Sequence, residues 1–149
     1  MRTAISVAMG LLLVGAESVS GETLYTATPI GPLPGGATSM GTGINNSGQV
    51  AGTSEGTIEH AFLYRDGAPI DVGSLPGGSS SVAYAINNLG QVTGGGFLPG
   101  GFPGTWHAFI YSAGALTDLG MLGGLYAFGY GINDSGEVVG QVLDLIRRN

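Results

Sequence analysis

Along residues 39–45, 81–87 and 126–133, large and small side chains alternate. One face of each stretch carries Met40, Thr42 and Ile44, then Val82, Tyr84 and Ile86, then Phe128, Tyr130 and Ile132. The other carries Gly41 and Gly43, Ala83 and Ala85, Gly129 and Gly131. A period of two predicts a strand. A face made only of glycine and alanine predicts a neighbouring layer packed very closely against it. Each stretch runs into the same polar sequence: Ile44-Asn45-Asn46-Ser47-Gly48-Gln49-Val50, Ile86-Asn87-Asn88-Leu89-Gly90-Gln91-Val92 and Ile132-Asn133-Asp134-Ser135-Gly136-Glu137-Val138. Asn or Asp opens a turn and Gly supplies its positive-φ residue, so each predicts a tight hairpin.

The spacings of 42 and 46 residues mark an array of similar units, in which most polar residues serve the unit itself. A second strand follows each hairpin, at 49–52, 91–94 and 137–140. A third reads His60-Ala61-Phe62-Leu63-Tyr64 and His107-Ala108-Phe109-Ile110-Tyr111. Turns at Asp66-Gly67 and Ala113-Gly114 lead to a fourth, at 69–73 and 116–120, and a Gly-Gly corner opens the next unit. Four antiparallel strands in about 45 residues is the size of one propeller blade. The expected fold is therefore all-β, with propeller-like four-stranded blades at 37–78 and 79–124 and a truncated unit at 125–149. Residues 24–36 match a fourth strand and corner whose first three strands are missing. About two and a half units are too few to close a ring, which predicts an incomplete or open propeller; an open β-stack or β-solenoid is the alternative.

Composition adds a destination. Residues 1–20 read as a secretory signal: Arg2, a short apolar run at 4–14, and small residues suited to cleavage after Ala16 or Ser20. The β-repeat domain would then be 21–149. The chain has no cysteine, which excludes disulfides and thiolate metal sites. It has no lysine, and its four arginines face ten acids for a net charge of −6. Such a balance offers no electrostatic footprint for nucleic acid and little attraction to anionic membranes. Thirty glycines fall largely at fixed repeat positions and so do not signal disorder.

The His60-Ala61-Phe62 and His107-Ala108-Phe109 strands, the corner at Asp118-Leu119-Gly120-Met121-Leu122-Gly123-Gly124 and the hairpin at 43–52 together resemble the HAF family of extracellular bacterial repeat proteins. The resemblance covers residues 24 to about 141. It implies secretion or surface display in bacteria. It brings no activity, cofactor or catalytic residue. Residues 142–149 depart from the pattern, with Leu143, Leu145 and Ile146 ahead of two arginines.

Several residues invite a chemical reading. His60 and His107 are the only histidines, yet each holds the same repeat position, which favours a packing role over a metal or a general base. Gly52-Thr53-Ser54-Glu55-Gly56 has the form of a nucleophile elbow, but that motif needs a strand-turn-helix context, and the second copy reads Gly94-Gly95-Gly96-Phe97-Leu98. Asp134 and Glu137 fall short of a calcium loop. Asn45-Asn46-Ser47 and Asn133-Asp134-Ser135 match a glycosylation pattern by form alone. Asp71 and Asp118 are repeat-equivalent, and Glu55 and Glu59 are local additions without an evident catalytic partner. The loop at 94–106 breaks the symmetry: it is longer than its counterpart and holds Phe97, Phe102 and Trp106, a candidate ligand-binding set for a sugar ring or an apolar partner. The plainer reading is that these aromatics fold back over the sheet.

The sequence thus predicts a secreted, non-enzymatic repeat protein acting as a scaffold or binding surface, without catalytic residues, metal or cofactor. A carbohydrate-binding module built on the 94–106 loop is the alternative, and a propeller-type polysaccharide hydrolase or lyase stands further off. Expected partners are copies of itself, through incomplete blades, or a glycan or surface; nucleic acid is not among them, nor is a membrane after signal cleavage.

Overall fold

The computed structural model describes residues 11–19, 22–100 and 104–144. These residues form twelve strands and no helix. In order they are β1 (Leu11–Val19), β2 (Glu22–Ile30), β3 (Thr38–Ile44), β4 (Val50–Glu55), β5 (His60–Arg65), β6 (Ala68–Gly73), β7 (Ser80–Ile86), β8 (Val92–Leu98), β9 (Thr105–Ser112), β10 (Ala115–Gly120), β11 (Tyr126–Ile132) and β12 (Val138–Leu143). The all-β expectation holds. Strand β1 pairs with β2 as an antiparallel hairpin. It runs through the second half of the expected signal; residues 1–10 and Ser20 lie outside the described residues.

The first repeat unit is one antiparallel sheet in the order β3-β4-β5-β6. In the second, β7, β8, β9 and β10 pair in the same succession, and β11 joins by a single parallel contact between Tyr126 and Trp106, carrying β12 at the edge. Turn chemistry sets these registers. Gly48, Gly90 and Gly136 sit at φ of 73°, 76° and 79° in their hairpins. The β5–β6 and β9–β10 turns place both central residues at positive φ, Asp66-Gly67 and Ala113-Gly114, the turn that matches the twist of paired strands.

Every first strand carries the same bulge, between Gly41 and Gly43, Ala83 and Ala85, and Gly129 and Gly131. At this point Gly52, Gly94 and Gly140 lie directly under the carbonyls of Met40, Val82 and Phe128, and a Cβ at any of them would run into that oxygen. The glycine of the second strand is thus required by its own hairpin.

Units stack face on face. Strand β7 crosses the first sheet against β3, β4 and β5, and β11 crosses the second against β7 and β8. The alternation of large and small side chains explains the close approach: Gly43 abuts the Ala85–Ile86 backbone, and Gly129 abuts Thr93. The main core lies in the first of these interfaces, with Ala51, Ala61 and Leu63 of one sheet against Ala83, Val92, Phe109 and Tyr111 of the next. A second cluster holds Ile30 and Leu33 against Val50 and Phe62 on the outer face of the first sheet. Residues 31–36 form there the same corner seen later in the chain. Gly36 N–H donates to Leu33 C=O at 2.8 Å, Gly78 to Leu75 at 2.7 Å and Gly124 to Met121 at 3.1 Å.

Candidate functional site

The polar residues shared by the units converge on two devices. The first joins the third strand to the fourth. His60 Nδ1 lies 3.0 Å from Asp71 Oδ2, and His107 Nδ1 lies 2.9 Å from Asp118 Oδ2. The same carboxylates accept the backbone N–H of Gly73 and Gly120, each at 2.7 Å. Those glycines take φ of 80° and 79° at a register shift that ends each pairing. Imidazole donates to carboxylate, carboxylate accepts from the bulge, and the strand end is fixed. The two histidines serve separate sheets and do not converge. Among the described residues no three potential metal ligands cluster.

The second device is a ladder of asparagines. Within each hairpin, Asn45, Asn87 and Asn133 use Oδ1 to accept the N–H groups two and four residues on, at 2.9–3.1 Å. Their Nδ2 groups donate to Gln49, Gln91 and Glu137, at 2.7, 2.6 and 2.6 Å. The amide has one hydrogen left, and it reaches across to the next unit. Asn45 Nδ2 donates to Asn87 C=O at 3.0 Å, and Asn87 Nδ2 donates to Asn133 C=O at 2.8 Å. A parallel rail runs beside it. Asn46 N–H donates to Asn88 Oδ1 at 3.1 Å, and Asn88 donates to Asp134 through its N–H at 2.8 Å and its Nδ2 at 3.0 Å. These two donations hold the Asp134 carboxyl below the usual aspartate range. Thr42 Oγ1 adds a third link, to Ala83 C=O at 2.9 Å. Asn45 and Asn87 are buried while Asn133 is exposed, because no further unit covers the third hairpin among the described residues.

Aromatic side chains close the boundary between the second and third units. Trp106 packs between Phe97 and Phe128, at centroid distances of 5.7 and 5.5 Å, and Tyr84 meets Phe128 and Tyr130 edge-on. Phe97 and Trp106 therefore touch each other and are half-buried. Phe102 lies outside the described residues.

A shallow cleft of about 250 Å³ lies beside the first corner, lined by Leu33, Ser54, Ile58, His60 and Asp71 among others. It gathers a serine, a histidine and an aspartate, yet they do not form a relay. The Ser54 hydroxyl is buried and accepts Leu33 N–H at 3.0 Å, and His60 Nε2 faces Ser79 C=O at 3.3 Å. A nucleophile needs its base within hydrogen-bond reach, and here both groups are engaged elsewhere. Nearby Glu59 has its carboxyl pushed up by burial and by the charge of Glu55.

Sequence reasoning set the histidines and asparagines down as structural but missed their partners. One signal was present: His and Asp recur eleven residues apart in both complete units, as 60 and 71 and as 107 and 118. No family model, curated protein or solved structure matches the chain. No described helix is long and apolar enough to cross a membrane.

Proposed function

We propose that this chain is a non-enzymatic repeat scaffold, built of propeller-like blades and exported in the manner of the HAF-type extracellular repeats it resembles. One observation carries the reading. The polar side chains that recur from unit to unit, asparagine, glutamine, histidine and aspartate, bond to backbone or to each other within and between the sheets. No buried side-chain nitrogen or oxygen among the described residues lacks a partner. A catalytic or metal site ordinarily keeps some polar groups free for its ligand. The aromatic set Phe97 and Trp106 supports the same reading, because Trp106 packs between Phe97 and Phe128 of the next unit rather than standing apart.

The test sets the purified chain against fluorogenic esters and a panel of polysaccharides, alongside His60→Asn and Asp71→Asn. The scaffold reading expects no turnover by any of the three and a lower unfolding midpoint for both variants. Turnover by the parent that either substitution abolishes would establish a hydrolase at the Ser54 cleft instead. Glycan binding lost in Trp106→Ala with the fold intact would favour the carbohydrate-binding reading.

A further inference from the structure

The two ends of the stack are different and complementary. Along the asparagine ladder each unit has an entry side, which accepts hydrogen bonds from the unit before it, and an exit side, which donates to the unit after it. At the exit of the third unit, Asn133 Nδ2 keeps one hydrogen beyond its bond to Glu137, and Asp134 N–H makes no hydrogen bond among the described residues. At the entry of the first unit, among the described residues, the Asn46 side chain makes none, and Asn45 C=O accepts Gly48 N–H alone, at 3.0 Å. These are the same donor and acceptor pairs that join the first unit to the second and the second to the third.

The apolar surfaces follow the same rule. On the exit side, Ala51 and Thr93 are fully covered by the following unit, while their equivalent Val139 is 69% exposed. On the entry side, Ile86 packs against Gly43 and the core, while its equivalent Ile44 is 59% exposed. Strand β12 also has no strand on its outer edge among the described residues. The structure therefore presents this contact twice inside the chain, and outside it the entry half of the first unit and, on the β11–β12 hairpin, the first two strands of the exit half.

We propose that a second copy of this chain docks its entry side on the exit side of the first, head to tail, and continues the ladder. Asn133 Nδ2 then donates to Asn45 C=O of the second copy, Asp134 N–H donates to its Asn46 Oδ1, and its Ile44 packs over Gly131 and Val139. The second copy also brings β2 and the 31–36 corner, which already stand before the first unit as β6 and its corner stand before the second. The contact is heterologous, so it yields rings where the rotation closes and filaments where it does not. The proposal rests on the scaffold reading and adds its partner.

Charge placed on either half tests it. Val139 and Ile44 are exposed within one chain, so lysine at either position leaves the unit folded, whereas in the contact it would be buried without a counterion. Wild type, Val139→Lys and Ile44→Lys are compared by light scattering across a concentration series, with circular dichroism of each. Wild type is expected to assemble, and each variant alone to be monomeric and still β-rich, with affinity lowered about a hundredfold or more. Mixed in equal amounts, the two variants are expected to form a one-to-one dimer and stop, since each retains one working half. A β-rich wild-type monomer at high concentration overturns the proposal and leaves the scaffold reading standing. Assembly that neither substitution affects, or a mixture that stays monomeric while wild type assembles, overturns it as well.

Discussion

Replacing Asn87 by alanine isolates the contribution of the ladder. The Asn87 side chain makes four hydrogen bonds: to Gln91 Oε1, to Asn133 C=O, and from the N–H groups of Leu89 and Gln91. It is buried, so the groups left behind have no ready water to replace it. At about 1 kcal/mol for each bond, the loss is about 4 kcal/mol. Asn133 makes three bonds of the same kind within its own hairpin, but it is exposed and donates to no later unit. Water takes over at that site, and Asn133→Ala is expected to cost about 1 kcal/mol. With a urea slope of about 1.5 kcal/mol/M, the midpoints fall by about 2.7 M and about 0.7 M. The assay is urea unfolding followed by circular dichroism on a Val139→Lys background, so that chain concentration does not enter. Equal losses for the two variants would refute the reasoning, because the hairpins are alike and only the link to the next unit differs.

Other consequences can be checked in the same system. Gly94→Ala is expected to prevent folding or cost more than about 3 kcal/mol, since its Cβ meets the Val82 carbonyl; a near-neutral result by urea titration would show that the bulge relaxes freely. Replacing His107 by Asn and Asp118 by Asn, singly and together, is expected to give a coupling of about 1 kcal/mol in a double-mutant cycle, modest because Asp118 is partly solvated, and a coupling of zero would dismiss the pair. Asp134 has a depressed folded pKa, so its contribution is present above pH 3.8 and is lost as pH falls through the folded value; carbon-detected NMR titration should show the pKa returning to the ordinary range in Asn88→Ala, and an unchanged pKa would contradict the assigned cause. Glu59 runs the other way, its folded pKa lying above 4.5, so stability declines as pH rises through that range; Glu59→Gln should remove the decline, and an unaltered pH profile would assign it elsewhere.

Much of the fold was legible because its signals are local. Strands show as a two-residue period, and the hairpins show as Asn-Asn-x-Gly or Asn-Asp-x-Gly, whose chemistry acts within five residues. The expected glycine and alanine face is split by the bulge: Gly43 meets the following unit at Ala85 and Ile86, and Gly129 meets the preceding one at Thr93. What stayed hidden was every interaction that depends on how far one sheet turns against the next. The Asn45-to-Asn87 bond spans 42 residues and the Asn88-to-Asp134 bonds span 46, and neither has a local signature. The bulge that sets Gly52, Gly94 and Gly140 under a carbonyl was likewise invisible, since glycine there reads equally well as turn or strand. Of the candidate aromatic site, Phe97 and Trp106 are cross-strand partners on β8 and β9 rather than residues of the expected 94–106 loop, and the other neighbour of Trp106, Phe128, belongs to another unit. Residues 11–19 show a limit of composition: an apolar run bounded by small residues suits a signal and a β-strand alike.

The central claim is that the recurring asparagines join the units. Side-chain amide hydrogen exchange, read by NMR on the Val139→Lys chain, tests it most directly. The account predicts slow exchange for the Asn45 and Asn87 Nδ2 groups, each held by two hydrogen bonds, and fast exchange for Asn133. Uniformly fast exchange at all three, beside a protected backbone, would contradict it.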